Sequence, residues 1–180
     1  MRTNMRNNNV INIMPFDFPC GEMILGSFNG KLCLCDWVDG RRHASIDKRL
    51  QRYLDAKYVE SSSYVIEMAC QRLNEYFLHQ RQEFDIPLLF IGTDFQKKVW
   101  NELLKIPYGT IVSYGELARR IGVPKSVRAV ANANAVNAIS IIVPCHRVIG
   151  SDGSLTGYGG GLNRKKFLLE LEKNFYLCKK

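Results

Sequence analysis

Residues 113–148 read SYGELARRIGVPKSVRAVANANAVNAISIIVPCHRV, and the punctuation in this stretch decides the fold of the half that contains it. Ser113 followed three residues later by Glu116 is a capping box, which opens a short helix through Leu117, Ala118 and Ile121. Gly122 stands where a left-handed C-terminal cap is expected, since it takes positive φ without a Cβ clash. Pro124, with its fixed φ, suits the first turn of a second helix from roughly Lys125 to Ala135. Two helices joined by a glycine turn make a helix-turn-helix. The apolar run Ile139 to Val143 then reads as a buried strand that ends at Pro144-Cys145.

The flanks extend this pattern. Thr93 and Gln96 form another capping box, ahead of Phe95, Val99, Trp100, Leu103 and Leu104 on one helical face, and Pro107-Tyr108-Gly109 ends that helix. Ser151-Asp152-Gly153 reads as the turn of a small wing. A last helix is expected from Asn163, as its cap, through Phe167, Leu168, Leu171 and Phe175. Towards the N-terminus, Asn29-Gly30 between two β-rich runs over 22–38 is a hairpin signal. Residues 41–60 read as an irregular loop with a short helix. Behind a serine run, Ile66, Ala69, Cys70, Leu73, Tyr76 and Phe77 share one helical face. Ile86 to Phe90 looks extended. The expected fold is α+β, with a small sheet-plus-helix support domain over 1–91. A mostly helical winged helix-turn-helix domain carrying Cys145 follows over 92–180.

Charge separates the two halves. Residues 1–92 hold eleven Lys/Arg and eleven Asp/Glu, whereas 93–180 hold fourteen and six, so the net +8 belongs to the second half. A basic half beside a neutral one points to a nucleic-acid partner. No apolar run approaches a membrane span, and MRTNMRNNN lacks the apolar core of a secretory signal. The expected location is intracellular: the cytoplasm of a prokaryote, or the nucleus of a eukaryote. The six cysteines include no C-x-x-C pair, and the histidines at 43, 79 and 146 are scattered, so neither a zinc site nor disulfides are expected. Cys33 and Cys35, two apart in a strand-like run, point to one sheet face and read as buried structural thiols.

Pro144-Cys145-His146-Arg147-Val148 is where chemistry concentrates. A thiol attacks as thiolate, and an adjacent imidazole can take its proton directly or through a water. Direct contact between neighbours on a strand requires a turn at Pro144; otherwise a water must bridge them. A Cys-His pair is also common as plain structure.

The surroundings favour chemistry. The shared motifs run from Thr93-Asp94-Phe95-Gln96, Val99-Trp100 and Ile106-Pro107-Tyr108-Gly109 to Ser113-Tyr114 and Leu117-Ala118. They continue through Ile121 to Lys125, Arg128-Ala129-Val130, Asn137 and Pro144 to Val148, and close on Gly153, Gly157-Tyr158, Gly160-Gly161, Lys165, Leu168-Leu169 and Glu172. Over about 92–172 this pattern resembles the methylated-DNA–protein-cysteine methyltransferases, the O6-alkylguanine-DNA alkyltransferases. Over 1–91 the resemblance rests mainly on domain size.

The resemblance implies single-turnover transfer of an alkyl group from O6-alkylguanine in double-stranded DNA to Cys145, by a monomer with no cofactor; the zinc ligands found in some relatives have no convincing counterparts here. O4-alkylthymine is a further candidate substrate. The lesion lies inside the stack, so its nucleotide must be rotated out at about a few kcal/mol. By resemblance Arg128 fills the vacated place, with Ala129, Lys125, Ser126 and Tyr114 on the DNA-facing surface. Cys145, His146 and Glu172 form the proton chain, Tyr114 donates to the base ring, and Asn137 ties the recognition helix to the active-site loop. Val148, Tyr158, Gly159, Gly160 and Trp100 are implied around the base. Glu170 competes with Glu172 for the carboxylate role. The chain departs from the family pattern at Ala131-Asn132 and at Asn137-Ala138, where glycines and Asn-Pro are usual. A non-catalytic winged-helix DNA or lesion binder is the alternative, and a thiol hydrolase or oxidoreductase ranks third because it leaves the basic helix-turn-helix unexplained.

Overall fold

The computed structural model describes residues 9–174. Its first layer is a mixed sheet of order β3-β2-β1-β4, from β1 (Asn9–Phe18), β2 (Gly21–Phe28), β3 (Lys31–Trp37) and β4 (Ala56–Glu60). β2 and β3 form the expected hairpin, with Asn29 and Gly30 both at positive φ (48° and 73°). β1 pairs antiparallel with β2 and parallel with β4. The segment read as an irregular loop with a short helix is mostly regular: helix α1 (His43–Leu54) takes twelve residues and β4 follows it directly. Its charged residues mask this, because α1 buries little beyond Ile46 and Leu50. Helix α2 (Tyr64–Phe77) begins as expected behind Ser63, whose hydroxyl accepts from Ile66 N. Of its expected face, Cys70 is only half-buried.

The outer edge of β3 positions the second half. Leu32 N donates to Pro87 O and Leu89 N to Leu32 O, both at 2.8 Å, so the expected extended segment covers one end of that edge. Cys35 N donates to Ala138 O (2.8 Å) and Ser140 N to Cys35 O (2.7 Å), which fastens the chain ahead of Cys145 to the other end. An open strand edge is thereby satisfied, and the active-site segment gains a fixed support. Cys33 and Cys35 are both buried, and the Cys35 thiol donates to Ser140 O.

The second half contains α3 (Asp94–Leu103), β5 (Val112–Ser113), α4 (Tyr114–Arg120), α5 (Val127–Ala135), β6 (Val148–Ile149) and α6 (Leu162–Asn174). Both halves of the Thr93/Gln96 capping box are formed. At Ser113 only one half is: its hydroxyl accepts from Glu116 N, while the Glu116 carboxylate pairs with Arg119 and Arg120. Gly122 takes φ +76° after α4, and α5 starts at Val127, two residues later than expected, because Pro124-Lys125 form a turn first. The last helix starts at Leu162, placing Asn163 inside its first turn rather than at its cap; Phe175 lies outside the described residues.

The expected strand over Ile139 to Val143 is not one. The segment folds on itself, with Val143 N donating to Ile139 O and Ile142 N to Ser140 O, and Ile141 at φ +70°. Its continuous apolarity reflects burial on all sides, which periodicity cannot distinguish from a buried strand. One continuous core of buried side chains joins the two halves.

Candidate active site

Pro144 (φ −80°, ψ 60°) turns the chain into a single 3-10 turn, Cys145–Arg147, and β6 then pairs with β5 in parallel. Cys145 is 3% exposed, yet its sulfur is not sealed among apolar groups. Asn137 Nδ2 donates to Cys145 Sγ at 3.2 Å, and to Val143 O at 2.9 Å and Ile139 O at 3.3 Å. Asn137 Oδ1 accepts from Ile139 N. One buried amide thus ties the end of α5 to the thiol turn. Burial pushes the Cys145 thiol up to about 11, against the pull of the Asn137 hydrogen bond and the Lys165 charge, so the resting group is protonated at neutral pH.

His146 turns its Nε2 into a buried polar cluster. Its Nε2 lies 2.7 Å from Glu172 Oε1, and its Nδ1 is buried without a partner among the described residues. With a carboxylate on Nε2, the neutral ring carries its proton there and leaves Nδ1 as a free acceptor. Burial lowers the imidazole below its usual range, outweighing the opposing pull of Glu172, so it is neutral at pH 7.

Glu172 is 1% exposed and accepts from five donors. These are His146 Nε2, Arg147 Nε (2.9 Å) and Nη2 (2.9 Å), Tyr76 Oη (2.9 Å) and Gly109 N (3.0 Å). Burial alone would raise this carboxyl, but the hydrogen bonds from His146 and Arg147 and the Arg147 charge hold it well below the carboxylate range. Glu170, its competitor, is exposed and faces Lys166. Tyr76 comes from the N-terminal half, which no motif signalled.

Tyr114 sits between two concavities. It lines an open groove with Lys125, Val127, Arg128 and Ala131. Its hydroxyl donates to Thr156 O (3.0 Å) and abuts Gly157, where an added Cβ would lie 2.4 Å from it. Thr156 and Gly157 in turn line a cavity of about 340 Å³ with Ala135, Leu155, Tyr158, Gly159, Gly161, Leu162, Arg41 and Arg42. Burial pushes the Tyr114 hydroxyl up to about 12, so it remains a proton donor at neutral pH. Arg128, Lys125 and Ala129 are exposed at the N-terminal end of α5, and Ser126 is partly so. Neither Arg128 nor Lys125 has an ion-pair partner among the described residues, unlike Arg119 and Arg120.

The residues implied around the base divide. Tyr158 and Gly159 line the cavity, and the Tyr158 hydroxyl accepts from Trp37 Nε1 at 3.0 Å. Val148 is buried, and its carbonyl is bound by Lys165 Nζ. Gly160 faces the Trp37 indole instead, where a Cβ would meet Cδ1 at 2.2 Å. Trp100 does not reach the cavity. It is 1% exposed, donates to Ala133 O at 2.9 Å and packs behind α5, because α3 lies on the far side of that helix. It supports α5 and does not line the cavity.

Two residues were given no role in the sequence reading, although Lys165 stands in the shared motif. Asn134, 1% exposed, donates to Cys145 O (3.3 Å) and to Tyr114 Oη (3.5 Å). It joins the thiol turn, one layer behind the cavity wall, to the phenol. Lys165 is wholly buried, donates to Val148 O and Thr156 O (2.6 Å), and lies over the Tyr114 ring; burial pulls its amine down to about 8. A lysine breaking the apolar face of the last helix was the available signal. Among the described residues no three His, Cys, Asp or Glu side chains gather where a metal could sit.

Comparison with known proteins follows the same residues. The family model for "6-O-methylguanine DNA methyltransferase, DNA binding domain" matches residues 94–174. A methylated-DNA–protein-cysteine methyltransferase of Mycobacterium leprae is 58% identical over 167 residues, covering 92% of this chain and 94% of that one. One from Methanosarcina acetivorans is 43% identical over 157 residues, covering 87% and 95%. The match to the Mycobacterium tuberculosis protein of that name, 60% identical over 106 residues, covers 59% of this chain and 64% of its length. The crystal structure of Mycobacterium tuberculosis O6-methylguanine methyltransferase superposes with a TM-score of 0.77 at 43% identity, covering 91% of this chain and 93% of that one. A structure of that organism's OGT in complex with DNA gives 0.77 at 42%, covering 92% and 94%.

Proposed function

This chain belongs to the methylated-DNA–protein-cysteine methyltransferase family, and we propose that it repairs O6-alkylguanine in duplex DNA by moving the alkyl group onto Cys145 Sγ. The groove beside Tyr114, with Arg128 on α5 and Lys125 in the turn before it, neither ion-paired among the described residues, receives the duplex. Arg128 takes the place of the rotated-out nucleotide, and the base enters the cavity behind Tyr158 and Gly159. Movement of the glycine-rich 155–161 loop uncovers Sγ to it.

The chemistry then balances with groups already described. The Cys145 proton passes through a water to the free Nδ1 of His146, and Glu172 stabilises the resulting imidazolium. Sulfur attacks the alkyl carbon, the C–O6 bond breaks, and its electron pair remains on guanine. The Tyr114 hydroxyl gives its proton to the base ring, so a neutral guanine leaves. The Val148 carbonyl accepts from the exocyclic amine. The thioether offers no electrophilic carbonyl to water, so each molecule acts once. We place the protein in the cytoplasm as a monomer; no helix among its described residues is long and apolar enough to cross a membrane.

The observation that carries this reading is the Asn137-held thiol followed in sequence by a neutral imidazole seated on a buried carboxylate. The test is transfer of labelled methyl from an O6-methylguanine duplex. It should saturate at one methyl per protein and be abolished by Cys145→Ala with duplex binding retained. Tight binding without label transfer would favour the non-catalytic binder.

A further inference from the structure

The turn between β3 and α1 brings two arginines from the otherwise neutral N-terminal half to the lip of the base cavity. Arg41 and Arg42 line that cavity opposite Leu155 to Gly159. The turn is fastened there: Arg41 N donates to Gly159 O (3.1 Å), Gly40 N to Trp37 O (2.9 Å), and Trp37 Nε1 to the Tyr158 hydroxyl. Both side chains are exposed, and neither guanidinium has a hydrogen bond or ion pair among the described residues.

Nearby carboxylates are already engaged. Asp39 is held by Arg164 Nη1 at 2.6 Å, and Arg164 lies over the Trp37 ring. Asp36 binds His43 Nδ1 at 3.0 Å. Asp47 takes His43 Nε2 at 3.4 Å and the Tyr58 hydroxyl at 2.9 Å. Two cations thus remain uncompensated at the mouth of a cavity whose other lining residues are uncharged. A guanidinium pair so placed recognises an anion with planar, bidentate geometry.

We propose that Arg41 and Arg42 bind backbone phosphate of the strand that carries the everted nucleotide, extending the DNA interface beyond the helix-turn-helix into the N-terminal half. This rests on the reading of the cavity as the base pocket. The β3–α1 turn and the base loop, tied through Gly159 and Tyr158, then close on the nucleotide from both sides.

The test is equilibrium binding of an O6-methylguanine duplex in a Cys145→Ala background, where no transfer consumes the complex, measured against salt. Each phosphate contact contributes about 0.9 to the slope of log affinity against log salt. Arg41→Ala with Arg42→Ala should therefore flatten the slope by about 2, so that between about 50 and 200 mM salt the parent loses roughly tenfold more affinity than the variant. Arg41→Lys with Arg42→Lys should keep the parent slope. Lys31→Ala with Lys57→Ala, which removes equal charge from exposed sites elsewhere in the same half, should leave the slope unchanged. A parental slope in the arginine double variant, or an equal fall in the lysine control, would overturn the assignment. Thermal unfolding of each variant separates misfolding from lost contact. Failure of wild-type protein to accept a methyl group would instead sink the proposed function and leave this comparison readable.

Discussion

Replacing Glu172 with Gln tests the polar cluster beneath the thiol turn. The carboxylate accepts five hydrogen bonds, three of them from Arg147 and His146. Glutamine keeps one acceptor oxygen and presents an amide donor to groups that are themselves donors. The buried Arg147 guanidinium would keep Ile106 O (2.6 Å) and lose its counter-charge. Removing one partner of a buried pair costs about 3–5 kcal/mol. For a chain of this size each kcal/mol lowers Tm by about 2–4 °C, so Glu172→Gln should unfold roughly 6–20 °C lower. The pH dependence has a definite sign. Because the folded carboxyl is held below its unfolded value of about 4.3, its stabilisation is fully present above that value and disappears as pH falls through the folded one. Wild-type protein should therefore lose stability into acid more steeply than the variant. Trp37 and Trp100 provide the fluorescence signal for both unfolding series. A Tm within about 2 °C of wild type, or parallel acid profiles, would refute the account of Glu172 as the charge that holds the cluster.

Three further perturbations probe the chemistry. The methyl-transfer rate should be level through neutral pH and fall in acid as His146 protonates below its usual range; a steady rise towards the thiol's own value near 11 would mean that the imidazole takes no proton. Lys165→Met takes the lysine donor from Val148 O and leaves Thr156 O with the Tyr114 hydroxyl alone, at about 1–3 kcal/mol for the carbonyl left unsatisfied. Single-turnover transfer should fall by roughly tenfold or more with duplex affinity retained, and unchanged transfer would remove Lys165 from the site. If Asn134 acts by orienting Tyr114, Asn134→Leu should slow transfer in wild type and have little further effect on Tyr114→Phe, a coupling of about 1 kcal/mol; additive losses would make Asn134 structural alone.

Local signals in the sequence carried most of the second half. The Thr93 box, Gly122 and the Asn29-Gly30 turn are decided by one or two residues with strong backbone preferences, and each formed. Where the outcome depended on tertiary pairing, the reading failed. β4 exists because β1 offers it an edge, and Ile139 to Val143 turns back because Asn137 and Cys35 bind its backbone. Cys145, His146 and Glu172 were legible from the motif, and the burial that separates Glu172 from Glu170 was not. Asn134 acts through contacts made across the fold, from a position with no motif signature, and Tyr76 was legible as a core residue of its helix face but not as a donor to Glu172. Trp100 was misread for the converse reason: its place in the motif reflects support of α5 from behind.

The most direct measurement is the mass of the protein after incubation with an O6-methylguanine duplex, followed by peptide mapping. One methyl group should appear on the peptide containing Cys145, with Cys20, Cys33, Cys35, Cys70 and Cys178 unmodified and the duplex restored to guanine. An unmodified Cys145 peptide, whether the protein remains bound to the lesion or carries the methyl on another cysteine, would contradict the account.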